Sequence, residues 1–187
     1  MGERTTRLNL SRSSVLVVED NPHAMEIASQ IFLGFGVRQI QRATCAKEAD
    51  RLAEGATFDL MLVDCELPDE SGFAFVRRAR ANGPNRTTGI IVVSGYTPRS
   101  KVERARDCGA HTVLCKPLAP GLLLDRIAWI GRGARQFVES EGYCGPDRRH
   151  RNVALPPGQD ERRAEALALT ASPERALSQN EINSLFD

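Results

Sequence analysis

Long apolar runs are missing from this chain of 187 residues. None approaches the ~20 residues that a membrane-spanning helix needs. The polar opening, Met1 to Ser14 with Arg4, Arg7 and Arg12, also lacks the apolar stretch of a secretory signal. Both absences predict a cytoplasmic protein without membrane contact. An excess of one charge is missing too, since 25 basic and 24 acidic residues leave a net +1. That balance gives no general attraction to nucleic acid or to anionic lipid. Cysteine is sparse: Cys45, Cys65, Cys108, Cys115 and Cys144, an odd count without a CxxC spacing. Neither a disulfide framework nor a zinc site is expected, and reduced thiols are. No G-x-G-x-x-G or P-loop occurs, so the phosphate cradles of nucleotide-binding enzymes are absent from the pattern.

What is present is an alternation of short buried strands and helical segments from Ser14 to about Gln136. Ser14–Val18, Phe58–Val63 and Gly89–Val93 are short, predominantly apolar segments that read as buried strands. Val37–Arg42 is a weaker strand, and His111–Cys115 the last one. Asn21-Pro22 is a helix start, with an asparagine cap and a first-turn proline. Ala24, Ile27, Ala28, Ile31 and Phe35 then repeat at helical spacing. Further helices are predicted over Ala46–Glu54, over Phe73–Ala81, from Thr97-Pro98 to Gly109, and from Ala119 towards Phe137. Fully apolar strands joined by helices imply a parallel sheet covered on both faces. Five such units in about 120 residues fit an α/β, flavodoxin-like (βα)5 doubly wound sheet of order 2-1-3-4-5.

In an open sheet of this kind, sites form beyond the carboxyl ends of the strands. Here those ends carry Glu19-Asp20, Asp64, Ser94 and Lys116-Pro117. Taken singly, each is ordinary: an acidic turn, a turn serine, a surface lysine before a first-turn proline. Taken together they suit phosphoryl transfer. Asp64 can act as a nucleophile and needs no base, because it is already ionised at neutral pH. Glu19, Asp20 and Asp64 form a hard-oxygen cluster suited to Mg2+, which would neutralise charge on the transferring oxygens. Lys116 adds a second positive charge, and Ser94 a hydrogen-bond donor.

The segments VLVVEDNP (Val15–Pro22), DLMLVDCELPDESG (Asp59–Gly72), IIVVSG (Ile90–Gly95) and CGAHTVLCKP (Cys108–Pro117) resemble the receiver domains of response regulators. The resemblance spans about two-thirds of the chain. It implies that Asp64 accepts a phosphoryl group from a histidine kinase or a histidine phosphotransfer protein. It also implies that Glu19, Asp20, Asp64 and the backbone carbonyl of Glu66 hold Mg2+, and that Ser94 and Lys116 respond to the phosphoryl group. In many receivers an aromatic residue three positions before the lysine rotates inward on activation; here that position is Val113. Tyr96 and His111 are the nearby candidates for a different coupling. Glu66 and Tyr96 occupy the two positions that flank the path of hydrolytic water in this family.

The organisation expected is an arm over 1–13, a receiver over 14–137, a linker over 138–176 and a short helix over 177–187. Prolines and few large apolar residues predict disorder for most of the linker, with a transient helix at Asp160–Leu169. Its Gly145–Ala176 part, 32 residues, would span roughly 30 Å. Tyr143–Arg151 carries a basic cluster similar to a GPDRR segment that follows some receivers. In Ala176–Asp187 (ALSQNEINSLFD), Ser178 and Glu181 make a capping box, Leu177 and Ile182 a hydrophobic staple. This stretch resembles the receiver-binding N-terminal peptide of flagellar switch proteins. The resemblance implies docking in cis or in trans on the face made by the fourth and fifth helices and the last strand. A flagellar or receiver-containing protein is then a possible partner. No DNA-binding effector pattern is seen, so output through protein contacts is expected; the alternative is a phosphate sink or shuttle. A small hydrolase on the same fold is disfavoured, because Glu66 stands where a second catalytic aspartate would.

Overall fold

The computed structural model describes residues 9–81, 83–133, 136–140, 143–147 and 174–186. Its main sheet consists of β1 (Ser14–Val18), β2 (Gln39–Ala43), β3 (Leu60–Asp64), β4 (Gly89–Ser94) and β5 (Thr112–Cys115). The strands are all parallel, in the order β2-β1-β3-β4-β5. Between them run α1 (Pro22–Gly34), α2 (Ala46–Gly55), α3 (Gly72–Ala81) and α4 (Arg99–Asp107); α5 (Pro120–Gly131) follows β5. The flavodoxin-like order expected from the pattern is the order found.

The period of two in a strand separates two cores. Leu16, Val18, Met61, Val63, Ile90, Val92 and Val113 face one way and pack with α2, α3 and α4 residues such as Ala49, Val76 and Val102. Val15, Val17, Leu60, Leu62, Ile91, Val93 and Leu114 face the other and pack with Phe32 of α1 and Leu123 and Ile127 of α5. Every residue of β3 and β4 is therefore buried. This explains why these strands read as unbroken apolar runs rather than alternations. Asn21 caps α1 by accepting from the His23 and Ala24 amides. α2 has no side-chain cap of its own. Its first amides, Ala46 and Lys47, instead donate to the Asp69 carboxylate at 2.9 Å each. Those bonds lower the Asp69 pKa.

The chain departs from its sequence pattern after α5. That helix was expected to continue towards Phe137, with linker from residue 138. Instead it stops at Gly131, and Gly133 takes φ +64°. β6 (Phe137–Ser140) and β7 (Tyr143–Pro146) then pair antiparallel. This hairpin is seated over Arg80, a guanidinium only 2% exposed. Arg80 donates to the carbonyls of Gly109 (2.9 Å), Arg86 (2.8 Å) and Thr88 (2.8 Å), and lies 5.2 Å from the Phe137 ring centroid. Burial pushes its pKa down to about 10, which still leaves it charged at neutral pH. A Cβ on Gly145 would fall 2.8 Å from the Gly109 Cα, so the two backbones touch there. Residues 1–8 of the arm expected over 1–13, the basic residues 148–151, and the disorder and transient helix expected within 148–173 lie outside the described residues.

The last element is α6 (Gln179–Phe186). Ser178 and Glu181 bond reciprocally, as a capping box requires. Ile182 and Phe186 are fully buried, in the same core as Val102, Ala105 and Val113.

Candidate functional site

The carboxyl ends of β1, β3, β4 and β5 deliver Glu19-Asp20, Asp64, Ser94 and Lys116 to one edge of the sheet. Carboxylate oxygens of Glu19, Asp20 and Asp64 lie within 4.8 Å of one another; Glu19 and Asp64 are buried and Asp20 is exposed. Lys116 Nζ reaches both buried acids, at 2.6 Å from Asp64 Oδ2 and 2.7 Å from Glu19 Oε2. The Lys116–Pro117 peptide is cis. Burial and the neighbouring Asp64 charge raise the Glu19 pKa, against the pull of Lys116. Burial alone would lower the Lys116 pKa, but its bonds to Asp64 and Glu19 raise it overall.

One ammonium thus bonds two of three clustered carboxylates, the two largely shielded from water. Excess negative charge in such a place favours a divalent cation. An all-oxygen donor set of this spread is the kind Mg2+ takes, with waters completing its octahedron. The residues present therefore fit the metal. Glu66 was expected to add a backbone carbonyl. Its amide donates to Asp64 Oδ1 at 3.0 Å, which keeps this backbone beside the acid. Its own carboxylate is drawn away to Lys101 Nζ, 2.7 Å distant on α4.

The turn after β3 explains a glycine. Gly72 donates to the Cys65 carbonyl at 3.0 Å, closing the loop that starts at Asp64. A Cβ at Gly72 would stand 1.9 Å from the Asp64 carbonyl oxygen. A glycine at position 72 is therefore a geometric condition for placing the acid.

Ser94 is buried, and its hydroxyl is engaged locally. It donates to the Tyr96 carbonyl at 2.7 Å and accepts from Cys65 Sγ at 3.1 Å. Tyr96 is exposed, and its hydroxyl donates to the carbonyl of Glu174 near the C-terminal helix. His111 stands at the opposite edge, before β5. Its Nδ1 accepts from the Ile90 amide at 3.0 Å and sits 3.3 Å from Arg80. The structure thus gives Tyr96 contacts near the acidic site and His111 a place in the far core.

Buried acids, a lysine and a serine at the carboxyl edge of a five-stranded doubly wound sheet define a CheY-like α/β receiver fold. The chain belongs to the response regulator receiver domain family, whose model matches residues 15–128. It is 32% identical over 119 residues to the response regulator protein PilR of Pseudomonas aeruginosa, covering 64% of this chain and 26% of that one. It is also 32% identical over 154 residues to a protein-glutamate methylesterase/protein-glutamine glutaminase of Myxococcus xanthus, covering 77% and 43% respectively. The chain thus spans less than half the length of these two relatives. Among solved structures it resembles chemotaxis protein CheY4 of Vibrio cholerae, with TM-score 0.59, 28% identity, and 62% of this chain and 96% of that one covered. It equally resembles the receiver domain of a Pseudomonas aeruginosa sensor histidine kinase, crystallised with magnesium in its active-site cleft. That match has TM-score 0.59 and 28% identity, and covers 64% of this chain and 98% of that one. This is a receiver of two-component signalling. No helix among the described residues is long and apolar enough to cross a membrane. The family model ends at residue 128, well before α6, so the likeness of 176–187 to a switch-protein peptide rests on sequence alone.

Proposed function

We propose that Asp64 is the phosphoacceptor of a cytoplasmic signalling protein and that its output runs through protein contacts. The observation that carries this reading is the bonding of Lys116 to both Asp64 and Glu19 at 2.6 and 2.7 Å. It keeps a nucleophilic carboxylate beside a cation that can follow the incoming phosphoryl oxygens.

The donor is a phosphohistidine of a kinase or phosphotransfer protein. An Asp64 carboxylate oxygen forms a bond to phosphorus as the P–N bond breaks. The electron pair of that bond stays on the imidazole, which picks up a proton. Mg2+ held by Glu19, Asp20, Asp64 and the Glu66 carbonyl would neutralise charge on the transferring group. Lys116 pairs with one phosphoryl oxygen, and the Ser94 hydroxyl donates to another. Hydrolysis later restores the carboxylate. Glu66 and Tyr96 flank the route of the attacking water and influence the lifetime. The chain catalyses only these steps on itself.

Acetyl phosphate with Mg2+ tests the reading, since acetate then leaves in place of imidazole. The full chain is expected to gain the mass of one phosphoryl group, and Asp64→Asn none. Continuous release of phosphate that persists in Asp64→Asn would instead indicate a hydrolase.

A further inference from the structure

α6 lies along β5, the edge strand of the main sheet. An edge strand exposes backbone donors and acceptors on its outer side. Gln179 satisfies two of them: its Nε2 donates to the Val113 carbonyl and its Oε1 accepts from the Cys115 amide, each at 2.9 Å. Ile182 and Phe186 fill the space beside Val113. The small side chain at that position leaves room for a helix face.

The approach to α6 is bonded to the loop after Ser94. Leu177 N–H donates to the Thr97 carbonyl at 2.8 Å, and the Thr97 hydroxyl donates to the Leu177 carbonyl at 3.0 Å. Tyr96 Oη donates to the Glu174 carbonyl, and Ala176 pairs with Pro98 as an isolated β-bridge. α4 has no side-chain cap of its own. The Glu174 carboxylate supplies one, accepting from Ser100 N–H at 3.2 Å and Ser100 Oγ at 2.6 Å. α4 in turn reaches the acidic site through Lys101 and Glu66. Residues 174–186 therefore contact the two segments, 94–98 and α4, that border Asp64.

We propose that residues 174–186 are an intramolecular ligand of the β5–α4 face, held while Asp64 is unmodified and released when it is phosphorylated. This rests on the phosphoacceptor reading above. In the unmodified protein the Ser94 hydroxyl holds the Tyr96 carbonyl and so fixes the loop that grips Leu177 and Glu174. A phosphoryl group brings anionic acceptors to Asp64, and charge-assisted bonds to them are stronger than a neutral one. Ser94 exchanges its bond to Tyr96 for one of these. The added charge also draws Lys101, and α4 with it. Both movements loosen the seat of 174–177. Release uncovers Val102, Ala105, Val113 and the edge of β5. That surface then fits a short amphipathic helix of the same chemistry, with a glutamine in its first turn and two apolar residues four apart.

Hydrogen–deuterium exchange by mass spectrometry on the full chain tests this, with Mg2+ and with or without acetyl phosphate. Peptides covering 112–115 and 174–186 are expected to be protected in the unmodified protein. They should exchange about tenfold faster once the phosphoryl group is on. Asp64→Asn should show no response to acetyl phosphate. Gln179→Ala and Tyr96→Phe should exchange faster over 174–186 even when unmodified. If a phosphoprotein forms and protection of 174–186 is unchanged or greater, the latch is wrong and the phosphoacceptor reading stands. If no phosphoprotein forms, both fail. Protection that rises with protein concentration, together with a dimer in light scattering, would assign the segment to a second copy and overturn docking in cis.

Discussion

Two single positions set the geometry around Asp64, and neither is charged. Gly72 faces the Asp64 carbonyl so closely that a methyl group has no room. Gly72→Ala must shift one backbone segment or the other. It is expected to cost about 1–3 kcal/mol in denaturant unfolding, as overpacking does. It should also slow phosphorylation by acetyl phosphate, since the displaced residue is the nucleophile itself. Normal phosphorylation in a destabilised Gly72→Ala protein would mean the loop relaxes without moving the acid. Cys65 is the second position: its thiol donates to the Ser94 hydroxyl, and burial raises its pKa. Cys108 is similarly buried, with its pKa pushed up to about 11. At pH 8 neither should react with iodoacetamide in the native protein, while all five cysteines should react in denaturant. Peptide mapping of the labelled protein checks this; rapid native labelling of Cys65 would show that the Ser94 hydroxyl is not packed as described.

At the scale of elements, the chain repeatedly caps or completes one element with a residue from another. Asp69 caps α2, Glu174 caps α4, Gln179 finishes the edge of β5, and Arg80 gathers the carbonyls beneath the β6–β7 hairpin. Arg80→Met would leave those buried carbonyls without donors. A loss of about 3 kcal/mol or more is expected in urea unfolding. Arg80→Lys should recover only part of it, because a single ammonium cannot reach the spread of acceptors that a guanidinium fork reaches. Equal stability of all three proteins would show that the hairpin does not depend on this residue. α6 offers a pH test. The Arg175 guanidinium and the Ser178 amide and hydroxyl hold the Glu181 carboxyl down at about 2, against an ordinary 4.5. A carboxyl lowered on folding stabilises above its unfolded value and loses that contribution as pH falls through its folded value. The capping box should therefore persist at pH 4. The Ser178 amide proton shift should titrate near pH 2 by NMR; a midpoint near 4.5 would mean the box is open.

These cross-element contacts also mark where sequence was and was not legible. The acidic cluster, Asp64, Ser94 and Lys116 could be found because a parallel strand buried on both faces is an unmistakable run, and its end is a definite address. The capping box of α6 was legible because its partners are three residues apart. Arg80 was not: it follows Phe73 and Val76 at helical spacing on the apolar face, but a guanidinium at such a position ordinarily extends its head to water, and its carbonyl acceptors lie in other segments. The hairpin escaped for a related reason. Phe137-Val138 is too short an apolar run to outweigh the helical pattern before it, and its support, Arg80 and Gly109, lies far away in sequence. Asp69 as the cap of α2 was equally hidden, 23 residues from the amide it serves.

For the molecule as a whole, the consequence is thermodynamic. If occupancy of Asp64 weakens docking of 174–186, then loss of docking must favour occupancy by the same factor. Beryllium fluoride allows an equilibrium test, because it binds a carboxylate reversibly where a phosphoryl group would be covalent. Gln179 lies on α6, away from the acids, and its side chain bonds to Val113 and Cys115 of β5 and to Asn183 of its own helix. With Mg2+ present, Gln179→Ala should therefore bind beryllium fluoride more tightly than the parent chain, by up to about tenfold if exchange over 174–186 rises tenfold on phosphorylation. Calorimetric titration measures both proteins, and Asp64→Asn should bind in neither background. Equal affinities in the parent and Gln179→Ala would show that the edge of β5 and the acidic site do not communicate, however firmly α6 is docked. A tighter Gln179→Ala would show that energy released at Asp64 is spent on undocking the chain's own helix. The strength of a signal from this receiver would then be set jointly by Asp64 chemistry and by the fit of Gln179, Ile182 and Phe186 against β5 and α4.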